Sequence, residues 1–381
     1  MNNIPNETKR ISLKFANAMF TIIVIFFLIL AIYSIYKIYN PAQSVSRLFY
    51  IISLMSCSSL GFLFFLGLNN LKDKIKIFLS LFFFITGCLL YGFETYLEFF
   101  QEEKSKRKIF AKKIGVPFDN RDSMEVLEDL RNNGFNAYPN VGPTFHKSNN
   151  GDIFNFGGIS NSTTIFNNKA GYYPVIETDE YGFNNPKGLY VKGKVDILLT
   201  GDDFAAGKSV RSDESISAVL RQMNFNAISI GRAGNGPLIE LAALKEYGEH
   251  LKPKIVLWFY YVNDLNELSK EIESPFLRKY LEEDGFSQNL FSKQVEVDEV
   301  LKNYVSSQWG KILSEKEKER KRLRRINTLK LTEIRKKINL KPAPISTPSP
   351  IFKDILQEAK KIVNNWNGKL YIVYLPALKR Y

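Results

Sequence analysis

The stretch Val195-Asp196-Ile197-Leu198-Leu199-Thr200-Gly201-Asp202-Asp203-Phe204 is an apolar run that stops abruptly on a glycine and two carboxylates. Such a short run, bounded by a turn residue, predicts a strand buried on both faces. The pattern returns at Asn226 to Ile230, at Lys254 to Tyr261 (KIVLWFYY) and at Lys369 to Leu375 (KLYIVYL). Between these runs lie helical stretches near Glu214 to Met223, Leu238 to Leu251 and Phe352 to Asn364. Apolar strands alternating with amphipathic helices predict a parallel sheet covered on both faces, a three-layer α/β domain over 191–381. A helical insertion, 265–350, interrupts it and ends in the proline-punctuated linker Lys341 to Pro350 (KPAPISTPSP).

Upstream the composition changes. Phe15 to Tyr36 and Leu48 to Leu71 carry no charge over 22 and 24 residues, and Ile77 to Phe93 none over 17. At about 1.5 Å per residue the first two cross a hydrocarbon core of about 30 Å. The third does so with help from Lys76 at one end and from Tyr91 and Tyr96 at the other. Three transmembrane helices are therefore expected in 1–100, retained rather than cleaved, because the first run is too long for a signal peptide and a second span follows closely. Three bases, Lys9, Arg10 and Lys14, precede the first span and one, Lys37, follows it closely. That asymmetry predicts a cytoplasmic amino terminus and an extracytoplasmic, periplasmic, large domain. Residues 101–190 read as a connecting region: a charged helical piece, then loops and short strands rich in Asn, Gly, Pro and aromatics.

Composition narrows the chemistry. The chain has 381 residues, 45% of them hydrophobic, enough for two or three structural units and far too apolar for a disordered chain. Two cysteines, Cys57 and Cys88, cannot form a disulfide framework or by themselves fill a four-ligand zinc site, and both sit inside strongly apolar segments; two histidines, His146 and His250, leave any mechanism that needs His short of candidates. No cofactor or metal is expected. Eight of the 52 bases and four of the 39 acids fall in residues 1–100, so about +9 of the net +13 lies beyond them. The excess concentrates in Lys311 to Lys337, whose mixed signs at helical spacing predict a solvated helix. No aromatic residues alternate with these bases, so nucleic acid is not an expected partner, whereas membrane lipid is.

Ligands of open α/β sheets bind beyond the carboxyl ends of the strands. There the sequence places Gly201-Asp202-Asp203-Phe204, then Gly231-Arg232-Ala233-Gly234-Asn235-Gly236, then Val262-Asn263-Asp264. Small residues and polar donors gather where an oxyanion would need them: the N–H of Asp203, the N–H of Gly234 and the amide of Asn263.

These blocks resemble those of the SGNH, or GDSL-type, hydrolase family. Gly201-Asp202-Asp203-Phe204 is similar to its Gly-Asp-Ser-[Phe/Leu] block, Gly234 falls on its second-block glycine, and Asn263-Asp264 match the end of its Gly-x-Asn-Asp block. The run Asp179 to Pro186 (DEYGFNNP) looks like a segment that precedes the first block in membrane-linked bacterial members. The resemblance implies a flavodoxin-like sheet and an acyl-ester hydrolase or acyl transferase acting on an acylated cell-surface polysaccharide. The block-one residue, here Asp203, would be the nucleophile, with Gly234 and Asn263 in the oxyanion hole. The chain departs from the family in three ways. Asp203 stands in place of serine, Tyr261 in place of the block-three glycine, and no His follows His250 to supply the late Asp-x-x-His base. Either the sequence is a C-terminally incomplete piece, or the protein is a non-catalytic binding or scaffold member of the same fold.

A second motif competes. Gly201 to Ser209 (GDDFAAGKS) ends like a phosphate-binding P-loop, which would make the protein a degenerate nucleotide binder. Five residues separate the glycines instead of four, and two carboxylates in the loop would repel phosphate.

Overall fold

The computed structural model describes residues 6–40, 47–100, 103–148, 151–338 and 350–376. The expected linker lies outside them except for Pro350. Two compact units result: Met1–Glu102 with Lys318–Ile345, and Glu103–Glu317 with Ser346–Tyr381.

The smaller unit opens with α1 (Asn6–Tyr39), α2 (Arg47–Asn70) and α3 (Asp73–Phe100). All three are long and apolar enough to cross a membrane. The third helix is 28 residues long, well beyond its apolar run of 17, because Asp73 suits its first turn and the charged flanks continue the helix. Close approach of α1 and α2 is set by glycine: a Cβ at Gly61 would stand 3.2 Å from Phe27 Cβ, and one at Gly67 3.0 Å from the Phe20 ring. The Phe64 ring joins the three helices, 5.5 Å from Phe20 and 5.4 Å from Phe83. Ser34 and Ser53 share a hydroxyl hydrogen bond of 3.1 Å. Met55, Phe78 and Leu89 are each about two-thirds exposed, an apolar surface of the kind that lipid tails cover.

The larger unit starts with α4 (Glu103–Lys113) and α5 (Ser123–Asn132). A capping box begins α5: the Asp122 carboxylate accepts from Met124 and Glu125, and Glu125 accepts from the Asp122 N–H. Five three-residue strands follow: β1 (Ala137–Pro139), β2 (Thr144–His146), β3 (Ile153–Asn155), β4 (Thr163–Ile165) and β5 (Val175–Glu177). They form one sheet in the order β1-β4-β5 and an antiparallel β2-β3 pair. His146 sits buried in β2, its Nε2 3.1 Å from Asn155 Oδ1 and its ring edge-on to Tyr304. His250 stacks on Phe291 with ring centroids 3.7 Å apart.

The main sheet then builds from β6 (Ile197–Thr200), the single-turn α6 (Asp203–Ala206), α7 (Ile216–Gln222), β7 (Ala227–Ser229) and α8 (Pro237–Ala243). From α8 the chain passes through a π-turn, Leu244–Gly248, into α9 (Glu249–Leu251). There follow β8 (Ile255–Tyr261), α10 (Asp264–Glu271), α11 (Pro275–Glu282), α12 (Gln294–Leu329), α13 (Thr332–Lys337), α14 (Pro350–Asn365) and β9 (Lys369–Leu375). The smaller unit takes α12 from Lys318 onward, together with α13. The expected single charged helix over 311–337 is broken, since Leu331 adopts φ +49° and α13 starts afresh.

All four strands run parallel in the order β7-β6-β8-β9. Alternation of side chains supplies the two faces. Leu198, Ile228, Val256 and Trp258 pack with α8, the π-turn and α14 in the principal core. Ile197, Leu199 and Phe259 pack with Ile216 and Leu220 of α7 on the other side. Full burial of a Leu or Ile in such a core contributes about 1.5–3 kcal/mol, which explains the apolar runs of β6, β7 and β8, whereas the edge strand β9 leaves Tyr371, Ile372 and Tyr374 exposed.

Candidate functional site

Three turns leave the carboxyl ends of β6, β7 and β8. After β6, Gly201 has φ +151°, and a Cβ there would meet Phe259 Cβ at 3.0 Å and Ala205 Cβ at 3.1 Å, so only glycine lets α6 start so close to the sheet. Asp202 caps α6 by accepting from Phe204 N–H at 3.2 Å. At the far end Gly207 takes φ +65°, where a Cβ would stand 2.6 Å from Ser215 Cβ. The turn is further fixed from outside: Ser229 Oγ donates to Ala205 O at 2.6 Å, and Asn184 Nδ2 to Ala206 O at 3.1 Å.

The segment 179–186 holds that support in place. Buried Asp179 accepts from the N–H groups of Tyr181 and Phe183, from Asn185 Nδ2 and from Tyr190 Oη, while burial raises its pKa to about 6. Asn185 then exchanges both hydrogen bonds with the Ser229 backbone, at 2.8 and 2.9 Å. The side chain thus takes the place of a neighbouring strand along the edge of β7, satisfying a backbone that would otherwise be buried unpaired.

Asp203, first residue of α6, directs its carboxylate at two ammonium groups: Lys208 Nζ at 3.1 Å and Lys169 Nζ at 3.4 Å. Lys208 is the more enclosed lysine, its side chain 13% exposed. Burial pulls its pKa down and the Asp203 charge partly restores it. For Asp202, burial pushes the pKa up, and the adjacent Asp203 charge pushes it further. The sequence shows Lys208 only as a P-loop lysine; here its ammonium serves Asp203. Nothing in the sequence points to Lys169, which arrives from a loop 34 residues upstream.

A cavity of about 480 Å³ lies beside this ion triad. Asp202, Asp203, Lys169, Lys208, Tyr261 and Asn263 all contribute to its lining. The rings of Phe204 and Tyr261, 5.4 Å apart, supply an apolar wall. The structure therefore brings Asp203 and Asn263 to one cavity. Gly234 is not among the lining residues; it occupies the β7 turn at φ +86° with open space where a Cβ would be. Its neighbours tie that turn to the β6 turn, Arg232 N–H donating to Gly201 O at 3.1 Å and Asn235 Nδ2 to the same oxygen at 3.4 Å. Arg232 is itself buried, donating to Gly182 O and Val141 O, and burial lowers its pKa to about 10.

Under the turns lies a set of buried carboxyls, of which the sequence blocks include only Asp264. Glu271, from α10, accepts from Gly236 N–H at 2.6 Å, Leu238 N–H at 2.9 Å and Ile239 N–H at 3.4 Å, so it caps α8. Asp264 accepts from Tyr261 N–H at 2.7 Å through Oδ2, while its Oδ1 is buried without a hydrogen-bond partner among the described residues. Glu240, on the fully buried α8, accepts from the Trp258 indole. Burial raises Asp264 and Glu271 to about 7 and Glu240 well above the usual carboxylate range, and neighbouring carboxylates add to each. Among the described residues no group of His, Cys, Asp and Glu is arranged to hold a metal ion.

Compared with family models, with curated proteins and with solved structures, the chain gives no match.

Proposed function

We propose that the larger unit is an SGNH-hydrolase-like domain that binds an acyl ester, and that Asp203 leaves it without a serine nucleophile in this form. The observation that carries the reading is the meeting of Asp203 and Asn263 at one cavity beyond the carboxyl ends of β6 and β8. The strand order, with β7 outside β6 and β8 and β9 on the other side, supports a flavodoxin-like arrangement. In the proposed site the Asn263 amide donates to the ester carbonyl oxygen, and the Phe204–Tyr261 wall receives the acyl group or the face of a sugar. A saccharide ester is the substrate class this reading takes from the family resemblance.

Attack by the Asp203 carboxylate on an ester would form a mixed anhydride and expel an alkoxide, an uphill step that needs a further base and water. With both carboxylate oxygens engaged by Lys169 and Lys208, Asp203 is also a poor nucleophile. These two points favour ester binding without turnover. The same ion pair disfavours nucleotide binding, because the P-loop reading needs the Lys208 ammonium for phosphate.

Hydrolysis of p-nitrophenyl acetate decides between the readings. Asp203→Ser should gain esterase activity over a silent parent, as a decayed acyl-transfer site requires. Activity in the parent that Asp203→Ala abolishes would overturn the non-catalytic reading, and tight ATP binding lost in Lys208→Ala would overturn the fold assignment. The three apolar helices are proposed to cross the bilayer with the amino terminus cytoplasmic, which puts residues 103–317 on the extracytoplasmic side.

A further inference from the structure

Within the smaller unit, the segment 318–338 carries ten Lys or Arg and only two acids, Glu319 and Glu333. It is fastened to the last turns of α3. Arg324 Nε donates to Glu98 Oε1 at 2.8 Å and Thr328 Oγ1 to Glu98 Oε2 at 2.7 Å. Tyr91 Oη donates to Leu329 O at 3.2 Å. Glu94, buried, accepts at 2.8 Å from both Glu333 N–H and Ile334 N–H, the first turn of α13. That turn is reached through Leu331 in the left-handed region, a conformation costly for a branched side chain and retained here where it delivers α13 to Glu94.

We propose that residues 318–338 form a surface that binds anionic phospholipid headgroups in the leaflet where α3 ends. Three observations converge. First, the contacts fall on Tyr91, Glu94 and Glu98, the terminal stretch of a helix whose apolar span closes at Glu98, so the segment sits at the depth of the bilayer boundary. Second, counting Glu94 and Glu98 with the two internal acids still leaves a surplus of six positive charges at that boundary. Third, Leu323, Leu329 and Ile338 remain exposed among the bases, at 49%, 70% and 58%. Exposed apolar side chains interspersed with arginines and lysines suit an interfacial segment, the apolar groups entering the acyl edge while the cations meet phosphate. Nucleic acid fits less well, because the segment holds no aromatic residue on which a base could stack. The proposal rests on the membrane-spanning reading of α3 and is independent of the acyl-ester site.

The test uses the full chain in nanodiscs, with an environment-sensitive fluorophore on Leu329→Cys after Cys57 and Cys88 are replaced by alanine. Discs of phosphatidylcholine alone are compared with discs also containing phosphatidylglycerol. Phosphatidylglycerol should shift the emission to the blue and expose the label to quenching by shallow spin-labelled lipid. Molar salt should reverse both effects, since the screening length falls to about 3 Å. The Arg322→Gln, Arg325→Gln, Lys330→Gln, Arg335→Gln variant should weaken the lipid preference by about fivefold for each base removed. The salt reversal on the unneutralised protein serves as the check should that variant fail to fold. Identical emission and quenching in both lipids overturns the proposal. Equal response to soluble heparin in neutral discs also overturns it, in favour of a soluble polyanion.

Discussion

Asp264→Asn should stabilise the larger unit above neutral pH and destabilise it by about 1–2 kcal/mol near pH 4. The folded protein holds the Asp264 proton up to about pH 7, whereas an unfolded chain releases it near pH 3.9. Between those values the folded state binds more protons than the unfolded one, so stability falls as pH rises through the window and levels off above it. Fully ionised, the buried carboxylate opposes folding by up to about 4 kcal/mol. An asparagine retains an oxygen for the Tyr261 N–H but buries an amide donor where Oδ1 has no partner, which takes back about 1–2 kcal/mol. A net gain of about 2–3 kcal/mol at pH 8 corresponds to roughly 5–10 °C in the melting temperature of a unit of this size. Intrinsic tryptophan fluorescence of the full chain in detergent, followed on heating at pH values from about 4 to 8, reads it, because Trp258 reports on this core through Glu240. A gap between variant and parent that is as large at pH 4 as at pH 8, or a variant less stable throughout, would refute the reasoning.

Other expectations follow the same contacts. In an Asp203→Ser background Lys208 loses the carboxylate that holds its pKa up, so any esterase activity should rise with pH below the ordinary lysine range and vanish in Lys208→Ala; a pH-rate profile unaffected by that second change removes Lys208 as the base. Glu271→Ala leaves the first N–H groups of α8 buried without an acceptor and should cost about 2–4 kcal/mol in denaturant unfolding, with Glu271→Gln recovering at least half of it near neutral pH. Protease added to intact spheroplasts should digest residues 103–317 while sparing the apolar helices; full protection places that unit in the cytoplasm and reverses the orientation.

The strands were legible because each is a nearly continuous apolar run. The stretches read as Lys254 to Tyr261 and Lys369 to Leu375 become Ile255–Tyr261 and Lys369–Leu375, and those at Val195 and Asn226 each shorten by two residues. Helix boundaries were less legible where a local cap competes with the apolar pattern. The stretch near Glu214 to Met223 divides into a 3-10 turn and α7 because Ser215 accepts from Ala218 N–H and restarts the helix. Leu238 to Leu251 contains a π-turn at Leu244–Gly248 that its apolar pattern does not mark. Of the site, Asp203 and Asn263 could be found because both follow strands. Lys169 could not, since its pairing depends on where a distant loop passes. Glu240 left one usable signal, a charge in the otherwise apolar run Pro237–Ala243, the mark of a carboxyl that must be buried.

Those buried carboxyls bear on what the cavity can bind. Below about pH 7 Asp264 and Glu271 are neutral, and the ammonium groups of Lys169 and Lys208 stand against the carboxyls of Asp202, Asp203 and Glu214 in the cavity lining. As pH rises through 7, negative charge develops beneath the same turns, in a medium where it is poorly screened. Binding of a neutral or anionic acyl ester at this cavity should therefore weaken with increasing pH even if Asp203 and its lysines never change state. Asp264→Asn, which removes one of those charges, should flatten that dependence. The carboxyls would then act on the site through the field at Asn263 and the α6 turn without touching the ligand.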